Sequence, residues 1–296
     1  MDEPQGLRAG RRAGLRGAAG ALLPSLALLL ALGLGTAPGG RAAAAPLPIV
    51  DAHLHYSQDA WSRFPPAAIL ALMDQAGVAR AFASSSPDDG TVALYQAAPT
   101  RIVPFLRPYR GGVNSSNWTR DATLLPYLEQ RLQRGIYRGI GEFHLAQGEA
   151  GGPIVRQVVA LAVARGLWVQ VHSGAEPVRG LFATDSRVKV LWAHAGMSEP
   201  PAGVEPLLAQ QANLWCEVSF RAGDIAPGGK LDAAWRALFV RFPERFLIGT
   251  DTYVTSRFDE YGELIAQHRQ WLAQLPPDVA EAIAFRNAAR LAGEAK

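Results

Sequence analysis

From Pro48 onward, short apolar runs alternate with segments whose apolar residues recur at helical spacing. The runs Ile49–His53, Ala79–Ser84, Arg101–Leu106, Gly139–Phe143, Leu167–His172, Val188–Ala193, Asn213–Ser219 and Arg245–Thr250 are apolar or β-branched nearly throughout. Strands covered on both faces read this way, so these runs predict eight of them. Helical patterns lie between, over Pro66–Ala76, Thr91–Ala98, Ala122–Arg134, Ile154–Arg165, Val204–Gln211, Leu231–Arg241 and Glu260–Leu275, with a last helix over Pro277–Ala292. The crossover Ser173–Arg187 has room for barely one helix. Alternating strands and helices predict a parallel sheet, and eight repeats predict a single closed (β/α)8 TIM-like barrel. A doubly wound open sheet is the competing fold, but no Gly-x-Gly-x-x-Gly turn or phosphate loop supports it.

The informative departures from apolarity come where the runs end. The first run leads into Asp51-Ala52-His53-Leu54-His55. Alternate residues of a strand point the same way, so His53 and His55 project together, roughly 6–7 Å apart. Later runs end in Glu142, His172, His194 and Asp251, with His144 two positions beyond Glu142. The carboxyl ends of barrel strands are where chemistry gathers. Imidazole and carboxylate suit zinc or a similar divalent ion. An open coordination position would hold water and lower its pKa towards ~7, supplying hydroxide at neutral pH. Asp251 is placed to bind the metal and to take a proton from that water.

Taken together, these strand ends resemble the amidohydrolase superfamily of metal-dependent barrels. The closing Phe285-Arg286-Asn287-Ala288-Ala289-Arg290-Leu291 is similar to the last helix of its amidohydrolase-related branch, where glycine usually replaces Arg286. The resemblance covers roughly Pro48 to Ala292. It implies that His53, His55 and Asp251 bind one metal. His172 would share that ion, or hold a second one with His194. Binuclear members bridge their ions with a carboxylated lysine or a glutamate from strand four. The first lysine in this chain is Lys189, so Glu142 is the available bridge. With a single ion, His194 would instead polarise the substrate. The resemblance implies a hydrolase that cleaves an ester, lactone or amide bond with a metal-bound hydroxide. A non-oxidative decarboxylase of the same superfamily, or a TatD-like metal-dependent nuclease, is the alternative.

Further residues fall near the same end. Arg107 and Arg110 follow the third run, Arg221 the seventh, and Tyr253 and Arg257 the eighth. A guanidinium there would suit a substrate carboxylate or phosphate, so Arg107, Arg110 and Tyr253 are candidate substrate binders. Tyr56 and Trp61 could form an apolar substrate wall or a lid, or pack in the core. Glu217 lies within an apolar run and needs a partner, structural or orienting. Cys216 reads as a core residue and His268 as a surface one.

Composition narrows the class. The chain has 296 residues, 49% apolar and 19% charged, with a net charge of +3. Residues 1–45 carry five arginines against Asp2 and Glu3, a surplus that accounts for all of that charge. Residues 46–296, the expected barrel, are therefore balanced and give no electrostatic case for nucleic acid. A small-molecule substrate is expected, and homo-oligomerisation is left open. Residues 1–45 read as an export signal: an arginine-rich start, an uncharged Gly17–Gly40 and small residues Ala42–Ala45 for cleavage. Arg11-Arg12 resembles a twin-arginine motif, although Gly14 stands where a large apolar residue is usual. The expected location is periplasmic or extracellular, or membrane-anchored if the leader is retained. Changing Arg11 and Arg12 together to lysine is expected to block export, followed as loss of the protein from the periplasmic fraction. Unaltered export would exclude the twin-arginine route.

Overall fold

Each of the eight apolar runs forms a strand in the computed structural model, which describes residues 47–293. The strands are β1 (Ile49–His55), β2 (Val78–Ser84), β3 (Ile102–Leu106), β4 (Gly139–His144), β5 (Trp168–His172), β6 (Lys189–Trp192), β7 (Leu214–Glu217) and β8 (Phe246–Leu247). They pair in parallel and in sequence order, giving a nearly closed (β/α)8 barrel. The ring closes through an isolated bridge between Asp51 and Ile248 and the bond from Ala52 N to Ile248 O, 2.7 Å. β8 is shorter than predicted because the chain leaves the sheet before Asp251. The expected export signal, residues 1–45, lies outside the described residues. No described helix is long and apolar enough to cross a membrane.

The helices are α1 (Pro66–Ala76), α2 (Asp89–Ala97), α3 (Leu124–Leu132), α4 (Pro153–Arg165), α5 (Ala175–Thr184), α6 (Pro201–Gln210), α7 (Ala222–Ile225), α8 (Ala233–Arg241), α9 (Tyr261–Leu272), α10 (Pro277–Glu281) and α11 (Asn287–Leu291). The crossover expected to hold barely one helix contains the ten-residue α5. α7 is a single turn, too short for periodicity to reveal. The last predicted helix is interrupted by a π-helical turn over Ala282–Arg286.

Apolar residues form two layers. Ile49, Leu54, Ile140 and Phe143 belong to the large cluster between sheet and helices. Val50, Ala52, Phe82, Val103, Phe105, Trp168, Leu191 and Leu247 fill the barrel together with Ala288, Leu291 and Ala292. The chain's last helix therefore plugs the amino-terminal end.

Two irregularities aim the polar residues. Simple alternation from Val50 and Ala52 would put Leu54 inside the barrel and His53 outside. A register shift between Asp51 and Leu54 reverses this, sending Leu54 to the helices and the histidines inward. β4 repeats the device, with a shift between Ile140 and Phe143 that turns Glu142 inward. Gly141 makes it possible: its φ is +132°, and a Cβ there would collide with the Gln170 carbonyl.

Asn287 ties the plug to β8. Its Nδ2 donates to Pro243 O and Phe246 O at 2.8 and 2.9 Å. Asn287→Ala is expected to destabilise the barrel by about 1–3 kcal/mol by leaving buried carbonyls without their donor. Urea unfolding would show this as a lower midpoint at unchanged slope; an unshifted midpoint would refute it.

Candidate metal centre

His53 and His55 on β1, Glu142 on β4, His172 on β5, His194 after β6 and Asp251 after β8 meet at the barrel mouth. Glu142 lies at the centre. Its Oε2 is 3.1 Å from His55 Nε2, while its Oε1 is 3.2 Å from His172 Nδ1, 3.5 Å from His53 Nε2 and 3.7 Å from His194 Nε2. Asp251 Oδ1 lies 3.3 Å from His55 Nε2 and 3.6 Å from His53 Nε2, and its Oδ2 lies 3.6 Å from His194 Nε2. The ligand atoms of His53, His55 and Asp251 form one compact group, and those of His53, Glu142 and His194 another.

This arrangement fits a divalent cation. Ring nitrogens face one another at 3.0 Å between His53 and His55 and at 3.1 Å between His194 and His172. Facing lone pairs repel unless a proton or a cation lies between them. Asp251 Oδ1 is buried and has no hydrogen-bond partner. Burial alone would lower the His53 pKa, but Asp251, Glu142 and Glu217 outweigh it and raise it well above the usual value. Burial would raise Glu142, yet His53 and the other imidazoles hold it well below the ordinary carboxylate range. The cluster thus attracts positive charge. Its donors are imidazole and carboxylate, the set that zinc-like ions take. Cys216 is buried in the outer layer and contributes no ligand.

Three histidines are oriented from behind. His53 Nδ1 is 2.7 Å from Glu217 Oε2, His55 Nδ1 is 2.9 Å from Ser84 Oγ, and His194 Nδ1 is 2.8 Å from Ser219 Oγ. A ring that donates through Nδ1 presents the Nε2 lone pair to a metal. Glu217 also accepts Ser219 Oγ at 3.0 Å and the Ser219 backbone N–H. Burial would raise Glu217, but His53 and these bonds bring it to about 2. Glu217 therefore acts as an orienting carboxylate rather than only a barrel strut. Its position inside an apolar strand was the signal for it. Gly249 leaves space for Glu217, whose carboxylate would collide with any Cβ there.

The backbone is unusual on one side of the mouth. Among the described residues, His194, Ala195, Met197, Phe220 and Asp251 are the non-glycines with positive φ, and all follow β6, β7 or β8. Such conformations are unfavourable and persist where surrounding contacts enforce them, often at functional sites.

Above the centre lies a cavity of about 480 Å3 lined by Arg107, Tyr109, Glu142, His144, His172, Met197, Phe220, Asp251 and Tyr253, among others. Of the candidate substrate binders, Tyr253 and Arg107 line it. Arg107 is buried, with Nη2 3.1 Å from Glu142 Oε2 and Nε 3.2 Å from Glu142 O. Arg110 does not reach the cavity: Asp121 and Thr123 bind its Nη2 at 2.6 and 2.8 Å. His144 does line it. Tyr109 OH accepts the His144 backbone N–H at 2.8 Å and lies 2.9 Å from its Nδ1. Burial brings His144 to about 4, so at neutral pH the ring is uncharged.

Two expectations are corrected. Tyr56 and Trp61 form no wall of this cavity, because Tyr56 OH donates to Phe64 O at 2.8 Å and Trp61 Nε1 to Tyr56 O at 3.0 Å. His268 is buried, not superficial, and its Nε2 lies 2.9 Å from Gly249 O. Its helix packs on β8, so the exposure inferred from a helical position was misleading.

The family model described as amidohydrolase matches residues 50–293. No curated protein matches the chain. Solved structures share the fold at low identity. A Pseudomonas putida protein provisionally named as a 2-pyrone-4,6-dicarboxylic acid hydrolase is 16% identical with a TM-score of 0.61, covering 84% of this chain and 99% of its own. A Burkholderia multivorans amidohydrolase is 18% identical with a TM-score of 0.53, covering 84% and 100%. The TatD homologue YjjV of Escherichia coli K12 is 17% identical with a TM-score of 0.56, covering 82% and 97%.

Removing the charge behind His53 by Glu217→Gln is expected to weaken metal binding about 10–100-fold. Competition against a chromophoric chelator would measure it; unchanged affinity would show that Glu217 does not support the ligand.

Proposed function

Because the chain belongs to the amidohydrolase family, we propose that it is a zinc-dependent hydrolase of an ester, lactone or amide bond in a small molecule. The observation that carries this reading is the placement of Glu142, whose two oxygens face different histidines, His55 and His172. That division suits a carboxylate shared by two ions, one with His53, His55 and Asp251 and the other with His172 and His194. Zinc supplies Lewis acidity that makes water nucleophilic at neutral pH and polarises a carbonyl.

The chain's own groups supply the rest. Asp251, which lines the cavity, accepts a proton from the attacking water. It returns that proton to the leaving oxygen or nitrogen as the C–O or C–N bond breaks. Glu217 keeps His53 oriented while charge shifts in front of it. His144 places a neutral imidazole at the cavity wall, within a substrate's reach for a hydrogen bond. In the single-ion arrangement, His194 would take the polarising role. Decarboxylation needs no strand-four carboxylate, so the central Glu142 favours hydrolysis. The balanced charge of residues 46–296 disfavours a nuclease despite the TatD-like neighbour.

Asp251→Asn should lower kcat on responsive esters or lactones by about 10²–10⁴-fold. Metal analysis of wild-type protein should find two equivalents per chain, and Glu142→Gln should hold fewer. A protein without bound transition metal, whose activity ignores chelators, would sink this reading.

A further inference from the structure

Resting on the hydrolase reading, we propose that the substrate is uncharged away from the scissile bond and carries a flat aryl group, which packs against Phe220 and Tyr253. Five large apolar residues are exposed among the described residues: Met197, Phe220, Val240, Tyr253 and Val254. Four of these, all but Val240, follow β6, β7 or β8 at the mouth, and Met197, Phe220 and Tyr253 line the cavity. Exposed apolar surface gathered beside a polar centre is the composition of a ligand site.

The rings form a path outward from the metal ligands. Phe220 lies 5.6 Å from the His194 ring, nearly edge-to-face at 75°, and 6.0 Å from Tyr253, between centroids. Phe220 is 43% exposed and Tyr253 54% exposed. Phe220 has a φ of +62°, a conformation that bulky side chains avoid. Arg257 supports it, with its guanidinium carbon 4.1 Å from the ring centroid and its nitrogens donating to Asp251 O and Thr250 O at 2.8 and 2.7 Å. The ring is thus held out at the cavity edge by the same arginine that fixes the Asp251 backbone.

Charge points the same way. Each mouth arginine already has its partner. Arg107 binds Glu142, Arg110 binds Asp121, and Arg221 binds Asp224 at 2.8 Å as well as the carbonyls of His194 and Glu199. Arg257 is committed to two carbonyls. Arg107 is the arginine that lines the cavity, and its charge is already balanced by Glu142, so a remote substrate carboxylate finds no unbalanced cation there, whereas a neutral ring needs none. This reverses the arginine grip expected from the sequence.

Two measurements on the metal-loaded protein test the proposal. The first compares 4-acetoxybenzamide with 4-acetoxybenzoate, esters that differ in charge on the far side of the ring. The amide is expected to have the higher kcat/KM by about tenfold. Phe220→Ala and Tyr253→Ala should each raise KM several-fold more for phenyl acetate than for methyl acetate. Equal or better turnover of the carboxylate ester, or equal effects on both acetates, would overturn it. The second titrates benzyl alcohol and ethanol into the protein by NMR. Benzyl alcohol is expected to bind about tenfold tighter, an advantage lost in Phe220→Ala. If no ester is hydrolysed, the ester form of the hydrolase reading fails, while the alcohol titration still decides the aryl site: no preference for benzyl alcohol would refute it.

Discussion

The carboxylate of Asp51 closes the barrel at its weakest join. It accepts His53 N and Thr250 N at Oδ1, at 3.1 and 3.0 Å, and Thr250 Oγ1 and Tyr261 OH at Oδ2, at 2.7 and 2.9 Å. One side chain thereby ties β1, the segment after β8, and α9. β8 contributes only two residues to the ladder, so side-chain bonds must hold what backbone pairing does not. Of the candidate metal ligands, His53 and His55 lie on one side of the join and Asp251 on the other. Thr252 Oγ1 repeats the stitch one step higher, receiving His55 N at 3.0 Å and donating to His55 O at 2.8 Å. Burial raises Asp51 to about 6, and the hydrogen bonds from Thr250, His53 and Tyr261 keep it from rising further.

Much of this fold is legible along the chain because it is local. Apolar runs and helical spacing mark the strands and most helices, and the polar residues that end the runs mark the mouth. Asp251, His172 and His194 are visible for that reason. The register shifts in β1 and β4 are not visible, because a period-two pattern does not announce where it slips. They matter most at His53, which simple alternation continued from Val50 and Ala52 would have turned away from the barrel. Ser84 and Ser219 are hidden for a different reason: each acquires meaning from a histidine on another segment. His268 shows the converse error, where a helical position suggests solvent but the helix's inner face meets β8.

Electrostatics divide the mouth into a floor and a rim. On the floor, the carboxylates of Glu142 and Asp251 meet imidazoles and the buried Arg107. On the rim after β6, β7 and β8, backbone strain and exposed rings gather together. The floor residues His53, His55, Glu142 and His172 stand on strands, while His194 and Asp251 come from loop backbone with positive φ. Ligands of the same centre are therefore positioned by two means, sheet register on one side and constrained turns on the other.

The plug formed by the last helix has a consequence for traffic. Phe82, Phe105, Trp168 and Leu191 fill the barrel above Ala288 and Leu291, so the packed interior offers an ion no passage from below. Among the described residues the mouth is then the route to the centre, and whatever occupies the cavity would stand between an ion there and bulk solvent. Loading would then precede catalysis in time, and a seated substrate would guard such an ion from scavengers outside.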